Sequence, residues 1–83
     1  MFTWRDVITG ALELNGERWD DIEFTPFNED ELSMSSNPMG AENNYNPPSE
    51  AAWTEKYVHT VFLDWEYNLY MITPYLRNPP ASL

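Results

Sequence analysis

The residues with the clearest chemical potential in this chain are carboxylates. Glu13, Glu17, Asp20, Asp21, Glu23, Glu29, Asp30 and Glu31 crowd the stretch between positions 13 and 31, and Arg18 is the only cation among them. The segment holds more than half of the 14 Asp and Glu residues, which face only 4 Lys and Arg and leave a formal net charge of −10. A folded surface that spaces carboxylates several Å apart can imitate the phosphate repeat of nucleic acid, about one charge per 1.7 Å of axis in B-form DNA. A protein that grips phosphates with Arg and Lys would then grip this surface instead. The alternative is a solvated acidic face with no target.

Other chemistries find less support. Catalysis by general acid and base or by an activated nucleophile needs paired groups, and His59 is the only imidazole. It sits in an apolar run with Tyr57, Val61 and Leu63 on its own side of the alternation, which makes it a core or sheet-face residue. Asp20, Asp21 and Glu23 could meet a hard cation, but the spacing and central glycine of a calcium-binding loop are absent. The 3 glycines are too dispersed for a phosphate loop, and the lack of cysteine removes disulfides and thiolate metal sites. No catalytic residue, cofactor or metal is therefore expected. Four scattered cations cannot form the basic patch that direct contact with nucleic acid or an anionic membrane requires, whereas a basic partner protein would be attracted.

Aromatic residues make up 16% of the chain, too many for a disordered acidic polypeptide. Trp4, Trp19, Phe24, Phe62 and Tyr70 read as core. Tyr45, Trp53, Trp65 and Tyr75 fall in loops, at turns or near the tail. Exposed Tyr and Trp are frequent interface anchors because they bury much area at little entropic cost, so Tyr45, Trp53 and Trp65 join the eight carboxylates as candidate partner-binding residues.

The elements that must position these groups can be read from periodicity. Thr3 and Asp6 resemble a capping box, and Trp4, Val7, Ile8, Ala11 and Leu12 share one helical face, giving a helix over 4–14 that Asn15-Gly16 ends. Ile22 and Phe24 alternate with Asp21 and Glu23, the pattern of a strand over 19–25 stopped by Pro26. Asn28 can cap one helical turn through Leu32. Residues 33–52 carry turn formers without period and read as a long Ser/Asn/Pro-rich loop, either a contact surface or disordered. Residues 56–63 and 67–73 read as a β-hairpin turning at Asp64-Trp65-Glu66, with Pro74 ending the second strand and an extended tail beyond. The expected fold is one α+β domain over 1–83: an N-terminal helix packed on a three-stranded antiparallel sheet, with a long central loop. The N-terminus lacks a secretory pattern and no apolar run reaches membrane-spanning length, so a cytoplasmic location is expected.

The order of motifs Trp4-x-Asp6-Val7-Ile8, Gly16-Glu17-x-Trp19-Asp20-Asp21, Trp53-Thr54-x-x-x-Val58 and Pro74-x-x-Arg77-Asn78-Pro79 resembles a family of small, acidic, uncharacterised phage-encoded proteins. The resemblance covers both ends of the chain and leaves out residues 26–52. It implies the context of antagonists of host defence, such as anti-CRISPR and antirestriction proteins, and transfers no catalytic residue. The expectation is an inhibitor of a basic, nucleic-acid-binding host protein such as a CRISPR effector or nuclease, acting as a DNA mimic. Two alternatives stand beside it: an accessory or structural subunit held by exposed aromatics and the sheet face, and a small metal-dependent enzyme.

Overall fold

The computed structural model describes residues 2–37 and 46–77. Helix α1 (Trp4–Leu14) leads to a 3-10 turn (Trp19–Asp21) and a one-turn helix α2 (Glu29–Leu32). Three strands follow: β1 (Glu50–Trp53), β2 (Tyr57–Asp64) and β3 (Leu69–Leu76). They form an antiparallel sheet in the order β1-β2-β3. The chain is thus an α+β protein with one main helix on a three-stranded sheet, as its patterning predicts. No described helix is long and apolar enough to cross a membrane.

Local chemistry explains the helix ends. Thr3 Oγ1 accepts the Asp6 N–H at 3.3 Å and Asp6 Oδ2 accepts the Thr3 N–H at 3.0 Å, so two N–H groups that the helix itself leaves unpaired are satisfied. At the other end Gly16 takes a φ of +74°, a left-handed conformation that a β-carbon would disfavour, and turns the chain back toward the sheet. Asn28 and Glu31 cap α2 reciprocally, at 2.8 and 2.9 Å.

The core is small and lies between α1 and one sheet face. Trp4, Ile8, Leu12, Phe27, Leu32, Ala51 and Ala52 are buried, with Trp19, Ile22, Met34, Val61, Tyr70 and Ile72 packed against them. The Trp4 ring stands 5.2 Å from both Phe27 and Tyr70. Its indole N–H is buried without a hydrogen-bond partner among the described residues.

Several elements differ from the sequence-based expectation. The strand expected over 19–25 is instead a 3-10 turn, a bend at Glu23 and a single bridge between Phe24 and Trp53. The bend breaks the alternation, so Ile22 packs against the core while Phe24 is 57% exposed. The third strand is β1, which takes the last three residues of the expected loop and Trp53 after it. A register shift between Glu50 and Ala52 lets consecutive alanines Ala51 and Ala52 both be fully buried. The near end of that loop is also ordered, through Trp4 N–H to Met34 O and Ser36 N–H to Phe2 O, both at 3.0 Å. The rest of the loop, 38–45, and the tail from Asn78 lie outside the described residues.

Pro74 does not end β3; it pairs with His59 inside it. The Arg77 N–H donates to Lys56 O, so by antiparallel alternation the nitrogen of Pro74 faces away from β2, at the sheet edge where no donor is needed. Phe62 is not core either, being 43% exposed. Val61 packs on the core, so Phe62, the next residue along the strand, faces away from α1.

Candidate functional site

Five carboxylates converge where the end of α1 meets the β1–β2 turn. An open cleft of about 460 Å³ is lined by Asn15, Gly16, Glu17, Asp20, Asp21, Ile22, Glu23, Glu55, Lys56 and Tyr57. Gly16 delivers Glu17 to its floor, the 3-10 turn projects Asp20 and Asp21 from one wall, and the β1–β2 turn presents Glu55 from the other. Glu55 was not singled out by sequence reasoning; only the pairing of β1 with β2, which makes residues 54–56 a tight turn, brings it here.

The carboxylates of this cleft do different work. Glu17 is not an open surface acid, contrary to its place in the expected acidic ribbon. Its side chain is 10% exposed, Oε1 lies 2.9 Å from His59 Nε2, and Oε2 accepts the Thr54 hydroxyl at 2.7 Å. With the carboxylate accepting, Nε2–H donates to it, while the buried His59 Nδ1 has no partner among the described residues. Thr54 and His59 are themselves 0% and 1% exposed. The acid stands between hydroxyl and imidazole, and no hydrogen bond links Thr54 to His59. Activation of a hydroxyl by an imidazole needs that link. The three residues instead tie the end of α1 to β1 and β2.

Asp21 is exposed but occupied, because its Oδ2 accepts the Arg18 N–H at 2.8 Å and holds the 3-10 turn. Glu23 binds the Arg77 guanidinium at 2.6 Å; the same Nη1 also donates to Thr54 O at 2.7 Å, and the guanidinium lies 5.2 Å from the Trp53 ring centre. Among the described residues Asp20 meets only Arg18, at 3.5 Å between two highly exposed side chains, a contact worth little in water. Asp20 and Glu55 are therefore the cleft carboxylates most available to a partner.

The remaining candidates are distributed around and away from the cleft. Glu13 and Asp20 border a neighbouring hollow with Thr9, Arg18 and Trp19. Glu29, Asp30 and Glu31 lie on α2; Arg5 links this helix to the 3-10 turn, with its guanidinium 2.9 Å from Glu29 and 4.7 Å from the Trp19 ring centre. Trp53 is not in a loop but in β1, half-buried, with its indole N–H on Glu50 Oε1 at 3.3 Å. Trp65 is 82% exposed in the β2–β3 turn. The eight residues of β2 separate it from the cleft by roughly 25 Å, so the two cannot form one small contact. Tyr45 lies outside the described residues.

Among the described residues no group of three or more His, Cys, Asp or Glu side chains is arranged to hold a metal ion. Asp20, Asp21 and Glu23 line the same cleft without forming such a group.

The chain matches no protein family, no curated protein and no solved structure with which it was compared.

Proposed function

We propose that the protein is a non-enzymatic inhibitor that binds a basic, nucleic-acid-handling protein and occupies the groove in which that partner holds phosphates. The observation that carries this reading is the convergence of exposed carboxylates from two separate segments, Asp20 and Asp21 with Glu55, around one open cleft on a chain of net charge −10. Glu13 and the α2 carboxylates extend the negative surface beyond it. Such a surface attracts Lys and Arg over distances set by ionic strength and orients the encounter. The phage context implied by the sequence resemblance favours host defence proteins, a CRISPR effector or restriction nuclease acting in the host cytoplasm, as the partner.

The test is an affinity capture from nuclease-treated bacterial lysate on the immobilised protein, eluted by a salt gradient. DNA- or RNA-handling proteins should be retained at low salt, released as salt rises, and lost when Asp20→Lys and Glu55→Lys are combined. Retention that ignores both salt and the double variant would contradict the reading. Asp21 and Glu23 are left unchanged because each also supports the fold.

A further inference from the structure

The sheet has a second face, and it is apolar. Antiparallel pairing places Val58 opposite Tyr75, Thr60 opposite Thr73, Phe62 opposite Met71 and Asp64 opposite Leu69. These side chains point away from α1, since the alternate residues Val61, Tyr70 and Ile72 pack on the core. Phe24, bridged to Trp53 at the β1 edge, extends the row. Phe24, Phe62, Leu69, Met71 and Tyr75 are 57%, 43%, 47%, 40% and 60% exposed. With aromatic side chains each able to bury roughly 150–250 Å², the open area is on the order of 500 Å², the size of the largest apolar patch on a typical monomer, which is often functional. No described element covers it.

We propose that this face docks an amphipathic helix of a partner protein whose apolar stripe is flanked by Lys and Arg. Three strands about 4.8 Å apart make a bed roughly 10 Å wide, the diameter of one helix. Addition of a strand is disfavoured at both edges. The β1 edge is occupied by the Phe24–Trp53 bridge and by the Thr25 hydroxyl, which donates to Ala51 O at 2.7 Å. The β3 edge lacks a donor at Pro74.

Charge selects the occupant. Glu50 and Asp64 border the face and Glu66 lies in the adjoining turn; Glu50 accepts the Trp53 indole N–H and Asp64 the Glu66 and Tyr67 N–H groups, but none of the three has an ion-pair partner among the described residues. Arg5, Arg18 and Arg77 are paired with Glu29, Asp20 and Glu23, and Lys56 lines the cleft. A second copy of this chain would bring an equally acidic border against these carboxylates, so self-association through the face is disfavoured. A basic-flanked helix complements both the apolar centre and its rim.

The probe is a synthetic helical peptide with a Leu/Ile stripe flanked by Lys and Arg, compared at physiological salt with the same stripe flanked by Glu. Amide shifts in the 15N-labelled protein should map to β2 and β3 around Phe62 and Met71. The Glu-flanked peptide should bind at least tenfold more weakly. Phe62→Ser combined with Met71→Thr, both exposed positions, should lose binding at least tenfold with an unchanged melting temperature. Asp20→Lys with Glu55→Lys should bind the peptide as the parent does, which separates this face from the cleft. Equal binding of both peptides, shifts confined to the cleft, or a dimer in sedimentation that is abolished by the Phe62/Met71 variant would overturn the proposal.

Discussion

The acidic cleft and the open sheet face lie on the same small scaffold but are built in opposite ways. In the cleft most carboxylates also hold part of the fold together. Glu17 binds His59 and Thr54, Asp21 closes a turn, and Glu23 binds Arg77. On the open face Phe24, Phe62 and Met71 carry no such duty, because they could be removed without uncovering the core. The difference teaches that a charged residue in a candidate interface must first be released from its structural bonds before its availability to a partner can be judged. By that criterion the cleft narrows to Asp20 and Glu55, and on the sheet face the border carboxylates Glu50 and Asp64 hold the Trp53 indole and the β2–β3 turn, while the apolar side chains Phe62 and Met71 remain available.

Substitutions can break or sharpen this contrast. The largest effect is expected at the anchor of the covered face: Trp4→Ala should cost about 3–5 kcal/mol, enough to unfold much of so small a domain at 37 °C in a thermal melt followed by circular dichroism. Trp4→Phe should cost far less, since it keeps much of the burial and removes the unpaired indole N–H. Next comes the tie beneath the cleft. Glu17→Ala leaves the buried His59 Nε2 and Thr54 hydroxyl without their shared acceptor and should cost about 2–4 kcal/mol, a fall in melting temperature on the order of 10–20 °C. A loss below about 1 kcal/mol would return Glu17 to the open acidic surface. Arg77→Ala removes a guanidinium held by Glu23, Thr54 O and the Trp53 ring, and about 1–2 kcal/mol should appear in urea unfolding. The smallest stability effect belongs to Asp20→Lys with Glu55→Lys: within about 0.5 kcal/mol of the parent, because neither side chain supports the fold.

Much of this architecture is legible in the sequence where local chemistry and burial agree. Helix α1 announces itself through its capping box, its apolar stripe and Gly16, and the β2–β3 hairpin through its β-branched and aromatic runs. Strand β1 does not, since Glu50-Ala51-Ala52-Trp53 is short, contains two alanines of low strand preference and follows Pro47-Pro48. Its alanines serve packing instead, both fully buried in the core. The false strand at 19–25 arose from a real alternation that the Asp21 cap and the bend at Glu23 override. Exposure of Phe62 follows from the parity that places His59 and Val61 inward, so it could have been read once β2 was recognised. The carboxylate beneath His59 could be anticipated in kind, because a buried imidazole requires a polar partner. Its identity could not, because residues 17 and 59 meet only through the turn at Gly16 and the pairing of β1 with β2.

The acidic surface is tested most directly by displacement of labelled DNA from a purified partner, a restriction nuclease or CRISPR effector recovered by the salt-eluted capture. The parent protein should displace the DNA, more weakly as salt rises, and Asp20→Lys with Glu55→Lys should raise the concentration needed at least tenfold while melting at the parent temperature. Displacement by the double variant at the parent's concentration, or inhibition with DNA still bound, would contradict the assignment of the cleft as the phosphate-mimicking contact.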